Sequence, residues 1–123
     1  MISKTTKIYI AGHRGMVGSA VWRLLDKKGY KNLLGKSSAE LDLRNQQAVT
    51  DFYKKEQPEI VIDAAAKVGG ILANSKYPYQ FIMENMQIQN NLIDTALQSG
   101  IEKFIFLGSS CIYPKLAPQP LKE

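Results

Sequence analysis

One cysteine and one histidine are all that this 123-residue chain offers of the side chains that most often build disulfide frameworks and metal centres. Cys111 has no partner for an internal disulfide, and one His with one Cys is too few donors for an ordinary zinc site. A disulfide scaffold and a structural metal are therefore set aside. No apolar run approaches the ~18 residues of a membrane span. The opening residues 1–7 lead straight into a strand-like segment with no apolar signal core. A cytoplasmic protein without a membrane partner is expected. Blocks of like charge are also missing. The 16 Lys and Arg residues are scattered, so the net charge of +5 suits a solvated surface that attracts a small anionic ligand better than a nucleic-acid-binding face. Repeats, linkers and low-complexity segments are absent, and only Pro114, Pro118 and Pro120 make the tail irregular.

What is present is a globular composition, 45% hydrophobic and 22% charged, at a length that suits one domain over residues 1–123. Residues 7–11 read as a buried strand, followed at once by Gly12, Gly15 and Gly18 and then a helical pattern. Val17, Val21, Leu24 and Leu25 fall on one face of that helix, Arg23, Asp26, Lys27 and Lys28 lie opposite, and Gly29 ends it. Residues 32–36 form a weaker strand and 40–43 a short extended piece. Asn45 then caps a helix through Glu56, with Val49, Phe52 and Tyr53 facing a core and Pro58 closing it. Residues 60–66 are apolar on both faces apart from Asp63, as suits a parallel strand covered above and below, and 67–70 break it into a loop. A long helix from about Pro78 to Gly100 carries apolar residues on more than one face, and 103–107 make a fourth strand.

Strands alternating with helices over short connections specify an α/β fold, a Rossmann-type doubly wound parallel sheet with expected strand order 3-2-1-4. Gly12-His13-Arg14-Gly15-Met16-Val17-Gly18 has the spacing G-x-x-G-x-x-G between strand and helix. Glycines there permit the tight turn, let backbone approach a pyrophosphate and let the helix pack on the strand. The free N–H groups and the helix dipole favour the anion. The plain alternative is that they serve turn and packing only. A Walker-type loop is disfavoured because Gly18 precedes Ser19 rather than Lys-Ser or Lys-Thr. After the second strand, residues 35–38 read Gly-Lys-Ser-Ser with no acid to hold a ribose 2′-OH. Lys36, with Arg14 from the glycine loop, suits the 2′-phosphate of NADP over NAD, unless both are merely solvated surface cations.

In open α/β sheets the ligand lies outside the carboxyl ends of the strands, so the polar cluster Ser109-Ser110-Cys111 should sit beside the nicotinamide end of a cofactor. A hydroxyl there can hydrogen-bond a substrate carbonyl that receives hydride. A thiol there can move a proton on the adjacent carbon. The bland readings are a serine that satisfies backbone groups at a strand end and a cysteine that is a small buried hydrophobe.

Residues 10–20 (IAGHRGMVGSA), 64–71 (AAAKVGGI) and 107–115 (LGSSCIYPK) together resemble the GDP-L-fucose synthases, within the extended short-chain dehydrogenase/reductases. The resemblance runs along essentially the whole chain. It implies an NADPH-dependent enzyme that epimerises GDP-4-keto-6-deoxy-D-mannose at C3 and C5 and reduces the C4 ketone, acting as a homodimer on a GDP-sugar. It further implies that Gly12 to Gly18 bind the pyrophosphate and that Leu107, Gly108, Ser109 and Ser110 line the nicotinamide half. By the same resemblance Ser109 polarises the ketone as the serine of a Ser-Tyr-Lys triad, and Cys111 is the acid/base thiol of epimerisation. Two departures qualify it. The position of the arginine that relatives use on the NADP phosphate is Ser38 here, which leaves Lys36 and Arg14. The family's Tyr-x-x-x-Lys segment, catalytic histidine and sugar-nucleotide domain are not in these residues, and His13 does not replace that histidine. The expectation is an N-terminal cofactor-binding part. It should be inactive alone, since losing the acid costs roughly 100-fold to 10,000-fold, and it should have an exposed apolar edge at residues 104–107. Competing readings are a non-catalytic dinucleotide-binding or interaction module, and a related sugar-nucleotide epimerase or dehydratase fragment, against which the Ser-Ser-Cys cluster argues.

Overall fold

The computed structural model describes residues 2–109, 112–114 and 116–121. Four strands and four helices occur among them: β1 (Ile8–Ala11), α1 (Met16–Lys27), β2 (Leu33–Leu34), α2 (Gln46–Glu56), β3 (Ile60–Asp63), α3 (Ile71–Lys76), α4 (Pro78–Gln98) and β4 (Lys103–Phe106). All strand pairs are parallel, which confirms the doubly wound α/β class. No helix among the described residues is long and apolar enough to cross a membrane.

The order across the sheet is β2-β1-β3-β4, a correction to the expected 3-2-1-4. β2 pairs with β1 only through Ile8↔Leu33 and Tyr9↔Leu34, whereas β3 pairs along all of β1, from Ile8↔Ile60 to Ala11↔Asp63. Every residue of β1 and β3 is buried. Strands apolar on both faces belong in the middle of a sheet, where helices cover both sides. The outer edge of a two-residue strand offers no such place. The strand regions expected at 32–36 and 60–66 shrink to Leu33–Leu34 and Ile60–Asp63, and residues 64–70 form loop.

Alternation along the strands divides the core. Ile8, Ile10, Ile60 and Ile62 face Val21, Trp22 and Leu25 of α1. Tyr9, Ala11 and Val61 face Val49, Phe52 and Tyr53 of α2 and Leu92 and Ala96 of α4. The Tyr9 and Phe52 rings stand 4.7 Å apart, tilted by 58°. Val17 and Leu24, expected to share the packed stripe of α1, are instead half exposed at 48% and 53%. A helix lying on a flat sheet buries a narrow stripe. Trp22 widens that stripe on the side away from Leu24.

Local signals were decisive where they were local. Asn45 accepts from the Ala48 N–H at 3.0 Å, and Gln57 ends α2 in the left-handed region at φ 50°. Helix α3 lies between the loop at 67–70 and the helix expected from Pro78, in residues to which the sequence pattern assigned no element. Along α4, Ile82, Met86, Ile93 and Leu97 are exposed while Leu92 and Ala96 are buried, in keeping with apolar residues on more than one face. β4 forms the sheet edge among the described residues, and of the exposed edge expected at 104–107, Ile105, Phe106 and Leu107 are exposed while Phe104 is half-buried against the core.

Two constraints lie at the carboxyl ends of the central strands. Gly12 has φ 75°, and a Cβ there would stand 2.5 Å from the Ala64 carbonyl oxygen and 2.9 Å from Ala65 Cα. Asp63 is 2% exposed. Its Oδ1 accepts from the Ala65 N–H at 3.0 Å, and Oδ2 has no partner among the described residues. Burial lifts this carboxyl from 3.8 to about 6, against the pull of the Ala65 bond.

Gly12→Ala should therefore destabilise the fold by more than Gly29→Ala. Gly29 has φ 87° and nothing within 4 Å, so its cost is the left-handed backbone alone, roughly 1–2 kcal/mol. Equal losses in urea unfolding would contradict the close approach. For Asp63, the folded chain binds the proton more readily than the unfolded chain between pH 3.8 and about 6. Its contribution is thus present below that window and lost as pH rises through it. Asp63→Asn keeps an acceptor for Ala65 and should raise stability at pH 8 by up to about 3 kcal/mol, and by much less at pH 4. A gain that does not change with pH would count against the raised carboxyl.

Candidate functional site

The strand order reverses at β1, with β2 on one side and β3 on the other, and this opens a crevice at the carboxyl ends of β1 and β3, of about 700 Å³. The glycine loop forms one wall. Gly15 is the N-cap of α1 without a side-chain cap, and no acidic residue occupies the first turn, so the amide end of the helix is left to a ligand. The Gly15 N–H closes the loop on the Gly12 carbonyl at 2.8 Å. A Cβ at Gly18 would collide with that same carbonyl, so Gly18 lets α1 begin directly against the end of β1. Gly12, Gly15, Met16 and Val17 all line the crevice.

The loop after β3 forms the opposite wall, through Ala64, Ala65, Ala66, Lys67 and Val68. Only the Ala64 N–H continues the pairing with β1, donating to the Ala11 carbonyl at 3.1 Å, and further along side chains bond its backbone. Asp63 ties Ala65, and Asn85 of α4 holds Lys67 at both backbone groups, accepting from its N–H at 2.7 Å and donating to its carbonyl at 3.0 Å. The same Asn85 amide donates to the Phe81 carbonyl at 2.8 Å.

An ion-pair chain lies along one side. Arg44 grips Asp42 through Nε at 2.9 Å and Nη2 at 2.9 Å and reaches Glu84 at 3.1 Å, and Glu84 accepts from Lys67 Nζ at 2.7 Å. The Lys67 bond, with Arg44 behind it, holds the Glu84 carboxyl below the usual carboxylate range. All four residues line the crevice, and none had been singled out as a site residue from sequence. The available signals were the charged Asp42 and Arg44 beside buried Leu41, and Glu84-Asn85 within an otherwise apolar helical stretch.

At the end of β2, Lys36 and Ser38 line the crevice. Lys36 Nζ is 3.8 Å from Glu40, and Glu40 is occupied with the Ser37 N–H at 2.8 Å and the Ser37 hydroxyl at 2.6 Å. Those Ser37 bonds hold Glu40 below its usual range. Arg14 is exposed on the glycine loop and is not part of the lining. The His13 side chain turns away from the crevice and packs against Trp22, with ring centroids 5.5 Å apart. Burial first, and then the Arg14 charge, lower the His13 pKa, with Glu40 acting the other way.

Leu107 donates its N–H to the Asp63 carbonyl at 3.2 Å, which sets Leu107, Gly108 and Ser109 beside the start of the Ala64–Val68 wall, although they do not line the crevice. The Ser109 carbonyl accepts from the Ile112 N–H at 3.2 Å. Ser110 and Cys111 lie outside the described residues. Among the described residues no three His, Cys, Asp or Glu side chains gather as a metal site. The uncapped helix, the two glycines at its mouth and the cation at the end of β2 fit a dinucleotide laid across the switch point.

The family model for the NAD dependent epimerase/dehydratase family matches residues 8–123. GDP-L-fucose synthase 1 of Arabidopsis thaliana is 56% identical over 123 residues, covering 100% of this chain and 38% of the relative. GDP-L-fucose synthase of Escherichia coli (strain K12) is 52% identical over 117 residues, covering 95% and 36%. Among solved structures, the GDP-mannoheptose C4 reductase from Campylobacter jejuni with NADP bound superposes with a TM-score of 0.94 at 44% identity, covering 99% of this chain and 38% of that one. A GDP-L-fucose synthetase from Naegleria fowleri bound to NADP gives 0.87 at 28% identity, covering 99% and 37%. The chain spans 38% of the length of the first of these curated relatives. With its glycine loop, parallel sheet and switch-point crevice inside the matched region, the chain belongs to the NAD dependent epimerase/dehydratase family.

Proposed function

We propose that residues 1–123 are the NADP-binding domain of a GDP-L-fucose synthase, a homodimeric cytoplasmic enzyme that epimerises GDP-4-keto-6-deoxy-D-mannose at C3 and C5 and reduces C4. The observation that carries this reading is the crevice whose mouth joins the uncapped α1 terminus to Lys36. The loop from Gly12 through His13, Arg14, Gly15, Met16 and Val17 to Gly18 holds the pyrophosphate through backbone N–H groups. Lys36, with Arg14, neutralises the 2′-phosphate. Leu107, Gly108, Ser109 and Ser110 line the nicotinamide half, Ser109 donates a hydrogen bond to the C4 ketone, and Cys111 moves the protons of epimerisation. NADPH supplies the hydride when bound. None of the six tyrosines has a lysine four positions on, so the proton donor for the reduced ketone belongs to residues other than these 123.

Titration of the chain with NADPH and with NADH should show tighter binding of NADPH. A charge-assisted contact is worth about 1.5–3 kcal/mol, so Lys36→Ala should cut the preference roughly 10-fold to 100-fold while leaving NADH affinity nearly unchanged. Tighter binding of NADH overturns the assignment. With NADPH and GDP-4-keto-6-deoxy-mannose together, absorbance at 340 nm should stay constant, and steady NADPH consumption by the chain alone would refute its dependence on a further proton donor.

A further inference from the structure

Three observations converge on His13. Its ring packs on Trp22 of α1. A Cβ added at Gly35 would stand 2.5 Å from His13 Cγ and 2.7 Å from Nδ1, so the imidazole occupies the space that a side chain at Gly35 would need. The buried Nδ1 has no partner among the described residues, so packing rather than a bond to Nδ1 accounts for that part of the ring. Gly35 is not among the residues with positive φ, and its backbone gives no reason for glycine there. The imidazole that fills the space supplies that reason.

The sequence neighbours of this contact are the crevice itself. Gly12 precedes His13 and Lys36 follows Gly35, and both line the crevice. The contact therefore spans from the loop after β1 to the loop after β2, and the two strands themselves pair at only two positions. Such a short ladder leaves the departing loop weakly specified.

We propose that His13 is a positioning residue: by seating its ring on Gly35 it sets where Lys36 stands relative to the glycine loop, and so sets discrimination between a phosphorylated and an unphosphorylated nicotinamide dinucleotide. This rests on the cofactor reading above, but it gives the His13 side chain a role through Lys36, apart from the loop backbone that holds the pyrophosphate. A Cβ at position 35 displaces the ring, and loss of the ring frees the loop. Either change should move the same cation.

The test is the ratio of NADH to NADPH dissociation constants for the wild-type chain, His13→Ala, His13→Gln, Gly35→Ala and the double variant His13→Ala/Gly35→Ala, each checked for folding by circular dichroism. Each single variant should lower the ratio severalfold to roughly 10-fold, as expected of a coupled pair of neighbours. The double variant should match His13→Ala alone, because the clash disappears with the ring. A ratio unchanged in the folded variants, with both affinities falling together, would overturn the inference and leave His13 a packing residue. So would losses that add in the double variant. Failure of the wild-type chain to prefer NADPH would overturn the cofactor reading and this inference with it, whereas retained preference with unaltered variants removes this inference alone.

Discussion

The contact on which the rest depends is the approach of Gly12 to the Ala64 carbonyl and Ala65 backbone. It brings the carboxyl ends of β1 and β3 together closely enough that no side chain fits between them. β1 and β3 are the two strands buried along their full length, so the crevice opens over the most rigid part of the sheet. Everything that faces a ligand is then measured from that contact: the helix that starts at Gly15, the loop that leaves at Ala64 and the cation carried past β2.

Around this fixed point the loops are held by side chains that take the part of missing backbone partners. Asp63 and Asn85 fasten the wall after β3, and Glu40 fastens the turn after β2 through Ser37. The chain Asp42–Arg44–Glu84–Lys67 joins the segment before α2, helix α4 and that same wall. Two of the cations lining the crevice are thereby engaged by carboxylates at hydrogen-bond distance, whereas the Lys36 ion pair is a looser 3.8 Å. That difference is the electrostatic argument for a phosphate at the β2 end of the crevice.

Legibility followed the range of the interactions. The glycine loop, the Asn45 cap and the break at Gly29 were readable because each depends on a few neighbouring residues and on backbone geometry. The strand order was misread because it depends on which strands are covered on both faces, a property of the packed helices. The exposure of Val17 and Leu24 was missed for a related reason: periodicity defines a face of α1, and only the sheet beneath it decides how wide that face is. Helix α3 and the Arg44–Glu84 bridge were invisible, the one too short for a periodic signal and the other 40 residues apart in sequence.

By itself, then, the amino-acid sequence determined the succession of elements apart from α3, the parallel class of the sheet and the place of the glycine loop between β1 and α1, because hydrophobic period and glycine spacing act locally. Tertiary structure alone decided that β3 pairs with β1, that His13 turns away from the crevice onto Gly35, and that Lys67 and Arg44 are engaged by Glu84 while Lys36 faces the crevice in a looser pair. These are competitions for partners and space between distant segments, and they are resolved only when the faces of the sheet close.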